Sequence, residues 1–186
     1  MASYNSITKF KDGFKGGSRP NRFEVVPTWP SGVSVPTEDG RFKIISASLP
    51  QAKINTIGVP YRGRTITFAG DRSYAPWLVG VYDDNNSQSL WRAFHQWKED
   101  LDGHYNHTVK NNNYGYENLQ TTWTVHQYDT NGSTIARTIR LYKCWPSVIG
   151  EINLNMGENN FVAFNVSLTF DYFEIVKGIR TSPGGI

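Results

Sequence analysis

Val162-Ala163-Phe164-Asn165-Val166-Ser167-Leu168-Thr169-Phe170-Asp171-Tyr172 keeps a strict two-residue period over eleven positions. Val162, Phe164, Val166, Leu168, Phe170 and Tyr172 face one way; Ala163, Asn165, Ser167, Thr169 and Asp171 face the other. Successive side chains of a strand point to opposite faces, so this is a strand with one buried apolar face and one small polar face. A one-residue slip would exchange the faces, so the pattern fixes the register.

Working outward, Thr121–Tyr128 and Thr134–Tyr142 are rich in β-branched and aromatic residues and flank Asp129-Thr130-Asn131-Gly132-Ser133. Asn-Gly between two such runs is a hairpin signal. Pro146–Leu154 predicts another strand. Upstream, strands are expected at Arg22–Val26, stopped by Pro27, and at Arg41–Leu49, ended by Pro50. Others follow at Ile54–Val59, stopped by Pro60, at Thr65–Phe68, and at Trp77–Tyr82. Prolines bounding strands imply pairing that is interrupted at edges or corners.

One helix is expected. Leu90, Trp91, Phe94, Trp97 and Leu101 fall on one helical face, with Lys98, Glu99, Asp100 and Asp102 on the wet side. Ser87 or Ser89 can cap its start, and Gly103 follows its end, where a left-handed residue is needed. Residues 27–40 read as a loop with a turn at Asp39-Gly40. Residues 103–120 have no period and read as a long loop. No internal repeat is present. The fold class is therefore mainly β, an antiparallel β-sandwich or barrel-like subunit with one flanking amphipathic α-helix. Residues 1–22, rich in Gly, Lys and Ser, read as a flexible N-terminal arm, and residues 23–186 as a single β-sandwich domain.

Composition agrees. Of the 186 residues, 38% are hydrophobic, 19% charged and 14% aromatic, a globular balance leaning toward β-structure. No apolar run is long enough to span a membrane, so no membrane anchor is expected. Residues 1–6 lack the apolar core of a signal peptide, so synthesis in the cytoplasm is expected. The net charge of +3 is uneven. Lys9, Lys11, Lys15, Arg19 and Arg22 against Asp12 leave the rest of the chain at −1. A domain built to grip nucleic acid carries a basic face on its body, and this body is near neutral.

The sequence places no catalytic constellation. His104 and His107 lack further ligands of the kind a structural zinc site needs. His95 lies in the helix off its apolar stripe, and His126 alternates in a strand with Trp123 and Val125. Cys144 sits in an apolar strand and reads as a small buried hydrophobe. The pairs Glu38-Asp39, Asp83-Asp84 and Glu99-Asp100 are neighbours in sequence and diverge in space. No phosphate loop, nucleophile elbow or HExxH occurs. No enzyme activity and no cofactor or metal are expected.

The informative cluster is Tyr61-Arg62-Gly63-Arg64 with Ala69-Gly70-Asp71-Arg72-Ser73-Tyr74-Ala75-Pro76-Trp77. Arg, Tyr and Trp anchor protein–protein interfaces, so this segment is expected to be a long interface hairpin. The alternative is a solvated hairpin with Trp77 buried.

The same residues resemble the tail tube proteins of contractile-tailed bacteriophages. The resemblance rests first on Phe14-Lys15-Gly16-Gly17-Ser18-Arg19-Pro20-Asn21-Arg22-Phe23-Glu24-Val25. Next come Val59-Pro60-Tyr61-Arg62-Gly63-Arg64 with Ala69-Gly70-Asp71-Arg72, then Trp77 leading to the helix with Arg92, Phe94 and Trp97. Last is Val166-Ser167-Leu168-Thr169-Phe170-Asp171-Tyr172-Phe173. Order and spacing agree over most of the chain, whereas the loops at 27–40 and 103–120 look longer than the family requires.

The resemblance implies a structural virion protein and a tail tube domain over residues 23–186. It implies homohexameric rings that stack into the inner tail tube, through which phage DNA passes as transient cargo in the lumen. Implied partners are further copies of the chain, the tail sheath protein, baseplate and tail terminator proteins, and the tape-measure protein. The implied location is the phage tail, after synthesis in the host cytoplasm. Subunit-interface candidates are Arg19, Asn21, Tyr61, Arg62, Arg64, Asp71, Arg72, Tyr74 and Trp77. A tube-initiating baseplate protein of the same fold, a glycan-binding β-sandwich and a cell-wall hydrolase are the competing readings.

Overall fold

Alternation becomes strand and helical spacing becomes helix in the computed structural model, which describes residues 7–14, 17–35, 37–83, 89–105, 116–130, 132–157 and 159–177. Helix α1 spans Ile7–Phe14. Strand β1 covers Phe23–Val26, and a 3-10 turn at Thr37–Lys43 leads into β2, Ile44–Ala47. Strands β3 (Ala52–Tyr61) and β4 (Arg64–Tyr74) precede β5 (Trp77–Tyr82). Helix α2 spans Leu90–Leu101, and a 3-10 turn at Tyr116–Leu119 opens β6, Thr121–Tyr128. The chain continues through β7 (Ile135–Ile149), β8 (Ala163–Thr169) and β9 (Tyr172–Lys177).

Every strand pairing is antiparallel. Seven strands follow the order β1-β6-β7-β8-β5-β2, with β9 also on β7; β3 and β4 pair only with each other. Strand β7 is the corner. Its residues 135–144 pair with β6 and its residues 138–142 with β9, whereas Trp145–Ile149 pair with β8. The bend falls at Lys143, held at φ 58, and the Lys143 ammonium lies 3.6 Å from the Asp171 carboxylate. A strand that turns from one sheet into another folds the sheets face to face.

The interior is aromatic. Trp29 packs against Phe94, Trp97 and Trp123 with ring centroids 4.8, 5.7 and 5.7 Å away, and Trp77 meets Trp123 at 6.0 Å. Each buried indole N–H finds a carbonyl on a different segment. Trp97 donates to Leu119 O (2.7 Å), Trp123 to Thr28 O (3.0 Å), and Trp77 to Ser48 O. A buried donor left unpaired would cost about 1–3 kcal/mol, so these bonds tie the loops to the core.

The long alternation holds through β8, where Phe164, Val166, Leu168 and the following Phe170 are buried. It lapses at Tyr172, once the chain has passed to the other sheet. Val162 and Tyr172, at the ends of the pattern, are partly exposed.

Several expectations are corrected. The stretch read as an arm contains helix α1, because Ile7, Phe10 and Phe14 recur at helical spacing. Residues 41–43 belong to the 3-10 turn, and only Ile44–Ala47 form the strand. The break expected between Tyr142 and Pro146 is the bend inside one strand. Trp91 leaves the apolar stripe: Leu90, Ala93, Phe94, Trp97 and Leu101 complete it, and the next residue after Leu90 is rotated about 100° away. Asp100 is buried rather than wet, three residues after Trp97 on the same side. Ser89 is the N-cap, accepting from the Arg92 N–H at 3.3 Å. At the other end the chain turns extended at Asp102 (φ −153), so the helix stops without a left-handed Gly103. The loop expected over 103–120 lies partly outside the described residues.

Trp123→Ala is expected to lower the unfolding free energy by about 3–5 kcal/mol, the usual cost of deleting a buried Trp. Urea unfolding of the variant followed by fluorescence measures it; a loss below about 1 kcal/mol contradicts a core built on this cluster.

Candidate functional site

Strands β3 and β4 form a ribbon that stands off the body. The pairing Ala47↔Val79 in the sheet and Ala52↔Tyr74 in the ribbon share one register. Pro50 therefore falls opposite Pro76, and neither can donate to the ladder. The ribbon is thus a continuation of the β2–β5 pair, interrupted where it leaves the sheet.

Its tip is a two-residue turn, Arg62-Gly63, closed by the pair Tyr61↔Arg64. Both turn residues have positive φ, 47 at Arg62 and 78 at Gly63, the geometry that matches strand twist. Space does not dictate the glycine, because a Cβ there would meet nothing within 4 Å; its dihedral does. The Arg62 guanidinium lies 5.4 Å from the centre of the Tyr61 ring, an exposed cation–π contact.

Opposite residues in a ladder share a face. Ile57 faces Phe68, Val59 faces Ile66, and Tyr61 faces Arg64, which makes one face apolar. Thr56 faces Ala69, Gly58 faces Thr67, and Pro60 faces Thr65, which makes the outer half of the other face small and uncharged, with Arg72 opposite Ile54 nearer the base. The subunit covers neither: Ile57 and Phe68 are each 56% exposed, and Val59 and Ile66 stay 45% and 46% exposed.

Near the base, Gly70 and Asp71 stand opposite the single residue Asn55, a β-bulge. A Cβ on Gly70 would come to 3.1 Å from Asn55 O and from the Ile57 side chain, so a larger residue there would press on the paired strand. The extra residue carries Tyr74 to the face opposite Phe68. There Tyr74 packs on Phe170 and Phe173 at 5.5 and 5.7 Å, the ribbon's aromatic contact with the body.

The interface candidates separate into four places. Tyr61, Arg62 and Arg64 share the tip. Asp71 and Arg72 are exposed at the bulge, and Tyr74 is the half-buried anchor. Arg19 and Asn21 lie in the turn entering β1, outside the ribbon. Trp77 is corrected: at 1% exposure it belongs to the subunit's own core. The hairpin itself runs over Ala52–Tyr74, not over 61–77. Sequence reasoning missed Ile57, Val59, Ile66 and Phe68, although alternation on both sides of Arg62-Gly63 carries the signal.

Elsewhere the chemistry is quiet. Cys144 is buried, and burial pushes its thiol up to about 12, far from a reactive thiolate. The His126 ring Nδ1 meets Thr138 Oγ1 at 2.9 Å. The hydrogen bond that Tyr128 donates to Glu24 raises the phenol above its ordinary value. The His104 ring is 3.7 Å from Glu99, and His107 lies outside the described residues. Among the described residues no three His, Cys, Asp or Glu are placed to hold a metal.

The sandwich with its flanking helix and ribbon is the fold of tube and tube-cap subunits of contractile injection systems. It matches the anti-feeding prophage tube-terminating cap at TM-score 0.62 and 14% identity, covering 87% of this chain and 91% of that one. It matches a chain of the PVC sheath–tube complex in the extended state at TM-score 0.57 and 13% identity, covering 92% and 97%. The chain belongs to the phage tail tube protein family, whose model matches residues 18–176. It is 28% identical over 158 residues to tail tube protein gp19 of Enterobacteria phage T4, covering 84% of this chain and 91% of that protein. The corresponding protein of Enterobacteria phage T6 is 27% identical over the same length.

In unassembled protein, Phe68→Asp is expected to change the unfolding free energy by no more than about 0.5 kcal/mol, as at exposed sites generally. Tyr74→Ala should cost about 1–3 kcal/mol, because it removes a packed aromatic. Chemical denaturation compares the two; a larger loss for Phe68→Asp would show that the subunit covers this face itself.

Proposed function

We propose that this protein is the tube subunit of a contractile phage tail, with six copies closing a ring and rings stacking into the tube. The observation that carries the reading is the ribbon, whose apolar face is left exposed by the described residues of its own subunit. A lone two-stranded ribbon is marginal in water. Covering a half-exposed Ile, Val or Phe returns roughly 1 kcal/mol, so one ribbon offers several kcal/mol before the cost of association. A closed ring repeats that contact at every seam and pairs the open sheet edges at β1 and β2, removing the hazard of exposed strands.

Family membership and the gp19 relatives support the tube role over a glycan-binding module. Trp77, Trp97 and Trp123 are core rather than ligand platforms, which points the same way. Six-fold closure draws support from a similar chain in the 6-fold symmetrised anti-feeding prophage baseplate, at TM-score 0.59 and 11% identity. In the tail, rings meet sheath, baseplate, terminator and tape-measure proteins, and the role is structural rather than enzymatic. The Asn165, Ser167 and Thr169 side of β8 suits a lumen wall, where DNA must slide without being held. Arg62 and Arg64 at the tip, with Arg72 and Asp71 at the bulge, supply directional contacts to the neighbouring copy.

Electron microscopy of the purified protein is expected to show six-fold rings or stacked tubes. Arg62→Ala and Arg64→Ala should weaken assembly while leaving the melting of unassembled protein unchanged. A strictly monomeric species across concentration and salt contradicts the reading, and equal loss of folding and assembly removes the arginines from the interface.

A further inference from the structure

Helix α1 and a groove beside α2 complement each other. Ile7, Phe10 and Phe14 form one face of α1, and the Phe10 and Phe14 rings stack at 5.3 Å. They are 73%, 66% and 58% exposed, and no residue of α1 is buried. An eight-residue helix does not hold itself by propensity, since isolated helices below about 12–15 residues are marginal in water. It needs an apolar seat. Lys11 flanks that face, one turn from Ile7 and from Phe14, while Lys9 and Asp12 lie on the far side, within the cationic segment 1–22.

The groove, of about 610 Å³, lies between the outer side of α2 and the segment after β7. Trp91 and His95, their rings tilted at 48° with centroids 4.2 Å apart, form one wall. Ile152, Leu154 and Val162 form the other, with Leu154 84% exposed. Asp83 and Glu151 complete the lining. The Asp83 N–H donates to Val162 O at 2.9 Å, whereas its Oδ1 is buried without a hydrogen-bond partner among the described residues. A desolvated carboxylate oxygen of this kind favours a cation. Burial first, then Lys98 and His104, hold His95 below its ordinary value, so the wall adds little positive charge near neutral pH.

We propose that α1 of one copy seats in this groove on a second copy, with Phe10 and Phe14 between Trp91 and Leu154 and a lysine of α1 on Asp83. The apolar face of the ribbon is a less suitable seat, because Arg62 and Arg64 at its tip repel a basic helix. A second copy is the occupant because α1 buries nothing against its own subunit, and stacked rings present a neighbour's groove at high effective concentration. The inference rests on the tube reading and adds an arm-to-groove contact to the contact made by the ribbon.

Disulfide trapping in full-length protein tests it. Chains carrying Phe10→Cys are mixed with chains carrying Leu154→Cys, assembled, and oxidised mildly; the native Cys144 is buried and silent. The expected result is a two-chain covalent species. Its yield should fall about tenfold with Asp83→Lys, the scale of one charge-assisted contact, and recover when Lys11→Asp is placed on the arm chain. Normal tubes without the covalent species overturn the inference and leave the tube reading standing. A link formed only within single chains carrying both cysteines also overturns it, as does one formed only to another virion protein. Absence of tubes overturns the tube reading and this inference with it.

Discussion

Two strands alone cannot bury a face. That constraint governs how the molecule divides. The body satisfies itself: its apolar side chains converge on the Trp77, Trp97 and Trp123 cluster, and each indole N–H is answered by a loop carbonyl. Among the described residues the ribbon has no third strand and no helix over it. Its apolar face is written as deliberately as the core, with Ile57 opposite Phe68 and Val59 opposite Ile66, yet it meets solvent. A sequence that spends apolar residues on an uncovered face is built for a surface outside the subunit.

The joints between body and ribbon follow from that division. Opposed Pro50 and Pro76 interrupt the ladder, so the ribbon departs from the sheet while keeping its register. The Gly70–Asp71 bulge turns Tyr74 toward Phe170 and Phe173, which fixes the base and leaves the tip free for contacts. A comparable device bends β7 at Lys143 and lets one strand pair with β6 and β9 on one side of the bend and with β8 on the other. Local backbone irregularities thus set the large-scale shape, while alternation sets which side chains face where.

Periodic features were legible in the sequence and conditional ones were not. The alternation of residues 162–172, the Leu90–Leu101 helix and the 121–142 hairpin read directly, because each buries a face whose period is local. Pro60, expected to stop a strand, instead lies within β3 opposite Thr65, because a ladder position that needs no N–H donor tolerates proline. The merging of two expected strands into β7 was not legible, since it depends on β6, β8 and β9 arriving from distant sequence. Trp91 and Asp100 were misplaced because a helix stripe has an edge that only packing defines. Trp77 was assigned to the interface because a Trp near arginines looks alike in sequence whether it is core or contact. The exposed face of the ribbon was legible in principle, for Ile57-Val59-Tyr61 and Arg64-Ile66-Phe68 mirror each other across the turn. What sequence could not supply is that none of the described residues lies above them.

The most direct measurement of whether the ribbon exists for a neighbour is amide hydrogen exchange over Ala52–Tyr74, compared between unassembled subunits and assembled tubes. The account predicts fast exchange in the free subunit and strong protection on assembly, with the body, including Trp77–Tyr82 and Thr121–Tyr128, protected in both states. Protection of the ribbon already in the free subunit, or rapid exchange persisting in the tube, would contradict it.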